Sequence, residues 1–548
     1  TAFYAQDDFR VTARFRLNLG LRVEIEGGAR ERFNRGLGGG FYPGDVLPIS
    51  APAEAAYARS PIAELPASEF KIRGGVRYLG KDAPTTISKG TANVLPRLGA
   101  VYQLTPKTVF RGGYGWFFDN NSVANFAINQ WGYSQATNTV ITQDNGLTFT
   151  TNLNDPFPVR ADGTRFDEPL KNYLGMMGRA GQSWDFYDLD WKAQFQQRWR
   201  LAIQRALSAN MVVEAAYTGS YSKTNIQRQL NVLPERYWAT GTVRDSARDT
   251  LLNANVNNPL RYTNLGPIQS SDPVLYNYIR NLSRFSGSSL RRQELLRPYP
   301  HYSTVRQNTN PDGRVRYSAF ELQLEKRFSK GFMFTVLYTW SDSETRDWYA
   351  NEFDLLPTWR ANNNTMPHRF VWTAIYELPF GKGRALLQEG VARRLVGGWQ
   401  LSAVYQKQSG PAIDWGNEFY QGDLKDIQNA YNHSAVFKND VHQWFDPNMP
   451  FEKRSGAQPG AFHTRVFPIR FQDLRADGID NLDVKILRSF DLLSEKRLRA
   501  QLSVDMLNAV NHTNFGNPNV NPRDRNFGKV TSQRGLGRLI QANLRFVF

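Results

Sequence analysis

The chain has 548 residues, a formal charge of +17 from 67 Lys and Arg against 50 Asp and Glu, an aromatic content of 13% and no cysteine. The absence of cysteine excludes a disulfide framework and thiolate metal sites, and no apolar run approaches the roughly 18 residues of a spanning helix. The basic residues stand singly, without a block of roughly five or more like charges, so the charge argues against nucleic-acid binding.

Thr1 to Val11 is predicted as a strand. After a short turn Phe15, Leu17, Leu19, Leu21, Val23 and Ile25 alternate with Arg16, Asn18, Gly20, Arg22 and Glu24, which makes a hairpin with one apolar and one polar face. A long stretch without sustained period follows. Its GLGGG, Gly36 to Gly40, lacks the Lys-Ser/Thr and the strand-to-helix context of a phosphate loop, and reads as a flexible loop. The next hairpin pairs Leu98, Ala100, Tyr102 and Leu104 with Phe110, Tyr114, Trp116 and Phe118 around a turn at Thr105 to Lys107. Gln194 to Ala206 and Met211 to Tyr221 form the third hairpin, and Phe320 to Phe328 and Phe332 to Trp340 the fourth. Strands over Phe370 to Phe380, Trp399 to Lys407, Leu482 to Phe490 and Leu498 to Met506 follow. The last, Leu539 to Phe548, alternates Ile540, Ala542, Leu544, Phe546 and Phe548 with Gln541, Asn543 and Arg545.

The connections between these strands alternate between short ones of about 3 to 15 residues and long ones of about 25 to 95, the asymmetry of outer-membrane barrels with short periplasmic turns and long outer loops. The expected fold is therefore all-β, a transmembrane antiparallel β-barrel with about 13 strands and long extracellular loops. The segments YAQDDFRVTARFRLNLGLRVE, PRLGAVYQLTPKTVFRGGYGWFFD, LAIQRALSANMVVEAAYTGSYS and LSVDMLNAVNHTNFGNP, with the terminal aromatic, resemble the C-terminal part of a TonB-dependent outer-membrane transporter, especially the Oar-like branch. The resemblance runs through the strands and hardly touches the long loops.

It implies about 22 strands around an N-terminal plug, coupling to the TonB complex through an N-terminal segment, and residence among the lipid and lipopolysaccharide of the outer membrane of a Gram-negative-type bacterium. Phe546 and Phe548 would be its assembly signal. On that expectation residues 1–548 are a partial barrel domain, with the plug and roughly nine strands preceding Thr1, and an odd strand count points the same way.

No enzyme site is expected. His301, His368, His433, His442, His463 and His512 are dispersed, and none sits in a metal-ligand spacing such as HExxH. Cofactors are expected to be none apart from calcium: WDFYDLDW brings Asp185, Asp188 and Asp190 together in an outer loop, where clustered carboxylates can hold the ion or form a solvated acidic turn. Arg97, Arg111, Arg200, Arg369 and Arg499 fall on the inward parity, mixed with carboxylates such as Glu214, Glu321 and Asp505. That mixture suits a plug-filled lumen and favours anionic cargo. Trp131, Trp184, Trp348, Trp359, Trp415 and Trp444 lie in the long loops, as candidates for contact with a substrate or a partner such as a surface lipoprotein, or for packing among the loops. Three functions follow: energised import of a bulky nutrient, a surface scaffold or binding barrel, and a passive porin.

Overall fold

Period-two alternation lets a strand present an apolar face and a polar face at once, and in the computed structural model thirteen such strands lie side by side in chain order. All residues are described except 39, 82–84, 86, 120–129, 382, 392–395, 431–442, 493–497 and 548, together with the side chains of 428–430. His433, His442 and Phe548 lie outside the described residues.

The strands are β1 (Ala2–Arg10), β2 (Phe15–Glu26), β3 (Thr91–Thr105), β4 (Thr108–Phe118), β5 (Phe195–Ser208), β6 (Met211–Gln229) and β7 (Val305–Ser329). They continue with β8 (Phe332–Trp348), β9 (His368–Glu377), β10 (Trp399–Gln408), β11 (Ile479–Asp491), β12 (Arg499–Leu507) and β13 (Leu539–Val547). Each pairs antiparallel with the next. Two short strands join the same sheet, Trp184–Phe186 parallel to β7 and Thr358–Ala361 antiparallel to β8. Among the described residues β1 and β13 do not pair with each other, so the sheet has two free edges.

The tightest connection shows the local chemistry. Lys330 and Gly331 both have positive φ, 53° and 77°, as a two-residue turn matching the twist of a hairpin requires. The ends of the sheet alternate as expected, but the lengths do not follow strictly: 378–398, on the short-turn side, is longer than 349–367 on the other. The first is folded on itself by hydrogen bonds from Gly381 N to Leu386 O and from Leu386 N to Pro379 O, and the second is partly consumed by Thr358–Ala361.

One face of the wall is apolar and exposed. Leu201, Tyr217, Phe320 and Trp340 form a continuous cross-strand row on it, with Leu201 62% and Trp340 59% exposed. Exposure of this size in large apolar residues is what a lipid-facing surface needs. Aromatic pairs bound the band on the short-turn side, Phe15–Tyr102 at 6.2 Å and Phe332–Tyr376 at 5.8 Å, and on the long-connection side, Trp116–Phe195 at 5.3 Å and Phe370–Tyr405 at 6.0 Å. From Phe332 to Trp340 the chain advances roughly 26 Å at about 3.3 Å per residue, close to the height of a barrel's apolar band before tilt. Within it Gly219 lies opposite Trp199 so closely that a Cβ would sit 2.3 Å from the indole.

β6, β7 and β8 continue well above this band, β7 starting at Val305 rather than near Tyr317. The segment VRQNTNPDGRVR carries no apolar alternation, yet its backbone pairs with β6 through register shifts around Asn310. The long connections are also more ordered than their lack of period suggested. The glycine-rich stretch read as a flexible loop places Leu37 in a buried cluster with Tyr78, Trp184, Phe186 and Tyr302. Helices Ser50–Ala58, Ser246–Asn253 and Pro273–Arg280 sit in the same cap, the last started by the Asp272 carboxylate accepting from Leu275 N. Among the described residues no helix is long and apolar enough to cross a membrane.

Candidate functional site

The opposite face of the wall is polar. Alternation turns Arg97 of β3, Arg111 of β4, Arg198 and Arg200 of β5, and Glu214 and Glu321 of β6 and β7 to the side away from lipid. Arg200 spans three strands: Nη2 donates to Glu214 at 2.8 Å, Nη1 to the Thr218 hydroxyl at 3.1 Å, and Nη1 also to Glu321. Arg97 and Arg198 lie over the ring of Phe117 at 5.2 and 5.4 Å, a cation–π arrangement on the inner wall. Further round, Lys485 pairs with Asp505 at 2.9 Å, Asn543 donates to Asp505 at 2.7 Å, and Arg499 pairs with Asp491 at 3.0 Å. The wall from β2 to β5 is thus rich in arginine, and the carboxylates that bind Arg200 stand on the neighbouring β6 and β7. Among the described residues no carboxylate pairs with Arg97, Arg111 or Arg369.

Above this wall the long connections build several buried clusters, two of which are large cores. The first draws Ile49, Ile72, Met177, Leu260, Leu265 and Phe285 from three separate connections. The second gathers Trp415, Phe445, Phe451, Phe467 and Phe527 from 409–478 and 508–538. His301 is buried against the Tyr302 ring, 4.5 Å away, with Nε2 2.9 Å from the Gly74 carbonyl and Nδ1 without a partner, and burial pushes its pKa down to about 4.

Four of the six tryptophans lie in the long connections, whereas Trp348 ends β8 and Trp359 sits in the short strand Thr358–Ala361. Trp415 and Trp444 are buried in the second core, and Trp184 in the cluster with Leu37 and Tyr302. Trp131 donates to Gly178 O under the Arg179 guanidinium, 4.1 Å from its ring. Trp348 lies under Arg465 at 5.1 Å and Trp359 under Arg316 at 4.4 Å. Each of the three aspartates of the calcium expectation takes a partner of its own. Asp185 takes Arg306 in two hydrogen bonds at 2.7 and 2.8 Å, Asp188 accepts from Gln307, and Asp190 pairs with Lys89 at 2.6 Å. Burial pushes the Asp188 carboxyl above its ordinary value. Among the described residues no group of three or more His, Asp or Glu is arranged to hold a metal. Asp185 and Asp188 fasten the connection 119–194 to the start of β7, and Asp190 fastens it to the connection 27–90.

Of the inner arginines, Arg200 and Arg499 are in ion pairs, Arg97 shares Phe117, and Arg111 and Arg369 face inward. Phe117 was missed by the alternation. Its signal is the break in WFFD, where consecutive rings at Trp116, Phe117 and Phe118 must place one on the polar side. Phe546 is exposed on β13.

A family model described as an outer membrane beta barrel domain matches residues 1–541. No curated protein matches the chain. Among solved structures, the outer membrane transporter YddB from Escherichia coli is similar at 10% identity and TM-score 0.39, over 99% of this chain and 53% of that one. The siderophore receptor PiuA from Acinetobacter baumannii is similar at 9% identity and TM-score 0.39, over 100% of this chain and 43% of that one. The copper transporter OprC is similar at 9% identity and TM-score 0.37, over 99% and 48%. The chain spans about half the length, or less, of each of these structures.

Proposed function

From a chain that belongs to the outer membrane beta barrel domain family, and so resides in the outer membrane of a Gram-negative-type bacterium, we propose a transporter that brings a bulky anionic nutrient inward, energised through the TonB complex. The family places the chain among outer-membrane barrels rather than enzymes. The observation that carries the proposal is the inner wall: Arg97, Arg111 and Arg198 face the lumen side without carboxylate partners among the described residues, beneath an outer end capped by folded loops. Such a wall attracts negative charge, whether from a plug or from cargo.

The proposal includes further strands and a plug to complete the barrel, for which the free edges of β1 and β13 speak. An unpaired edge in lipid leaves amides and carbonyls unsatisfied, at several kcal/mol each. A surface-scaffold role is favoured by the two folded loop cores, which give a partner such as a lipoprotein a firm surface.

Planar-bilayer recording of the protein purified from its own outer membrane, with nutrient uptake in cells measured with and without a protonophore, tests the transport proposal. The expected result is a silent bilayer and protonophore-sensitive uptake lost on deletion of the gene. A steady open conductance would overturn it in favour of a passive porin, and intact uptake after deletion would favour the scaffold role.

A further inference from the structure

The two ends of the wall differ in how their cations are balanced. At the long-connection end cations stand in pairs, Arg77 with Asp45 at 2.6 Å, Arg306 with Asp185 at 2.7 Å and Arg523 with Glu418 at 2.8 Å. At the short-turn end three hairpins present six others: Arg10, Arg14 and Arg16 at β1–β2, Lys107 at β3–β4, and Arg327 and Lys330 at β7–β8. All six are exposed, and among the described residues no carboxylate pairs with any of them. Arg10 lies directly opposite Arg16, and like charges so placed are destabilising. The acids beside them are placed otherwise: Asp8 accepts from Asn18, and Glu325 stands within the ladder opposite Val212 and Thr335.

These cations are not arranged to meet lipid. Arg10 and Arg16 have the parity opposite to Phe9 and Leu17, which pair on the lipid side. Arg14, Lys107 and Lys330 occupy turns, the last with φ of 53°. Two cations that do stand on the lipid side of this end are already engaged. Lys326 donates Nζ to the Phe332 carbonyl at 2.7 Å, and Arg488 lies 4.6 Å from the ring of Phe490 and 5.5 Å from that of Trp399. Arg205, exposed and on the lipid side, is the exception. Successive hairpin turns are two strands apart, about 10 Å along the sheet, so the turns from β1–β2 to β7–β8 spread over about 30 Å. A small anion reaches one of them, and an extended polyanion reaches all.

We propose that the short-turn rim is a docking surface for peptidoglycan, the cross-linked glycan–peptide mesh of the periplasm, held through the free carboxylates of its stem peptides. A guanidinium offers a carboxylate paired donors, and an ammonium offers a compact charge. Each exposed pair is weak and screened by salt, so the hold comes from several turns engaging one mesh together. Repeated carboxylates on a cross-linked polymer supply that multiplicity, and they relieve the repulsion between Arg10 and Arg16. Phospholipid headgroups of the inner leaflet would call for free cations on the lipid side, whereas the free ones stand on turns and on the opposite parity. The inference rests on the short turns facing the periplasm and is independent of what the barrel carries.

The test uses the whole protein purified from its own outer membrane in non-ionic detergent and sedimented with purified sacculi. Sacculi whose carboxylates have been converted to neutral amides, and vesicles of phosphatidylethanolamine with phosphatidylglycerol, serve as the comparison surfaces. Intact sacculi are expected to bind at least about tenfold more tightly than amidated ones or vesicles, and more weakly as salt is raised. Arg14→Gln with Lys107→Gln and Lys330→Asn, the last keeping a residue suited to positive φ, is expected to weaken binding to sacculi by about tenfold or more. Lys71→Gln with Lys425→Gln and Lys453→Gln, which removes the same charge from the cap, should leave it unchanged. Equal binding to intact and amidated sacculi, or equal loss in the two triple variants, overturns the proposal. So does vesicle binding as tight as sacculus binding, which would mark a phospholipid surface. Heat-modifiable migration on a gel separates a lost fold from a lost surface. If the rim variant fails to assemble, the carboxylate dependence and salt dependence of the unmodified protein decide alone.

Discussion

The strand wall and the loop cap bury opposite things. In the wall the large apolar side chains are the exposed ones, Leu201, Trp340 and Leu544 among them, and the polar ones face each other across the inner surface. In the cap the order is that of a water-soluble protein, with Ile49, Ile72, Phe285 and Phe445 fully buried and charges such as Arg454 at the surface. One polypeptide therefore serves two solvents, and the boundary between them runs through β6, β7 and β8, which leave the apolar band near Tyr217, Phe320 and Trp340 and continue into the cap. The hydrophobic effect drives the cap to condense. The wall is held by its ladder of backbone hydrogen bonds and by the lipid it faces.

The comparison predicts that the cap can be broken without the wall. Trp415 is 3% exposed and has the rings of Phe445, Phe467 and Phe451 within 5.1, 5.6 and 5.9 Å. Trp415→Ala should cost the second core about 3–5 kcal/mol. Limited proteolysis is then expected to cut within 409–478 while the folded barrel keeps its heat-modifiable migration. Loss of that migration together with the loop would show that wall and cap fold as one unit.

The reverse experiment breaks the wall. Leu502 of β12 shares its face with Leu544 and Arg488, and Gln501 faces the other way beside Ser489. A basic side chain on the lipid face costs about 2–4 kcal/mol near mid-bilayer, so Leu502→Arg should impair assembly and Gln501→Arg should not. Ser503, the other neighbour, is 5% exposed, and an arginine there would be resisted by packing, so it makes a poor control. Equal assembly of the Leu502 and Gln501 variants, measured as the folded fraction after outer-membrane extraction, would invert the assigned faces.

Legibility followed the same division. The thirteen wall strands could be read because the bilayer imposes period two on them, as in Phe332, Phe334, Val336, Tyr338 and Trp340. The reading stopped where the lipid stops: Val305 to Arg316 is strand, yet no solvent contrast across its faces leaves a pattern to see. The cap was illegible for another reason. Leu47, Met177 and Leu260 meet from connections far apart in the chain, and contacts of that range leave no local period. At the candidate site, parity placed Arg97 and Arg200 on the inner face, whereas the partners of Asp185, Asp188 and Asp190, which are Arg306, Gln307 and Lys89, lie far from them in sequence.

Acid should loosen the cap before the wall. His301 has a folded pKa of about 4 against 6.5 for the free side chain, because burial disfavours its cation and Arg284 repels it. The depressed value means that its contribution is fully present above pH 6.5 and is lost as pH falls from there towards 4, where the unfolded chain binds a proton that the folded one refuses. The difference amounts to at most about 3 kcal/mol. Hydrogen exchange around Gly74 and Tyr302, taken relative to each amide's intrinsic rate at the same pH, is expected to rise as pH falls from about 7 to about 5, a range that spans a free histidine's pKa, and His301→Gln should flatten that dependence. Exchange in Phe332–Trp348 should stay unchanged, and an equal acceleration in both regions would remove His301 as the cause.

The smallest effect lies on the inner wall. Arg200 joins Glu214 and Glu321 across β5, β6 and β7, but its side chain is 44% exposed, so water screens most of the attraction. Arg200→Gln should therefore shift urea unfolding by about 1 kcal/mol or less. Its two carboxylates stay on adjacent strands of one face, so the shift should be largest at low ionic strength and vanish near 1 M salt, where the screening length falls to about 3 Å. The same substitution replaces a net charge of −1 among the three residues by −2 at neutral pH, so binding of anionic cargo should weaken even though stability hardly moves. A large destabilisation that persists at high salt would mean that Arg200 is packed as part of a core, and the inner wall would then follow the cap's rules instead of its own.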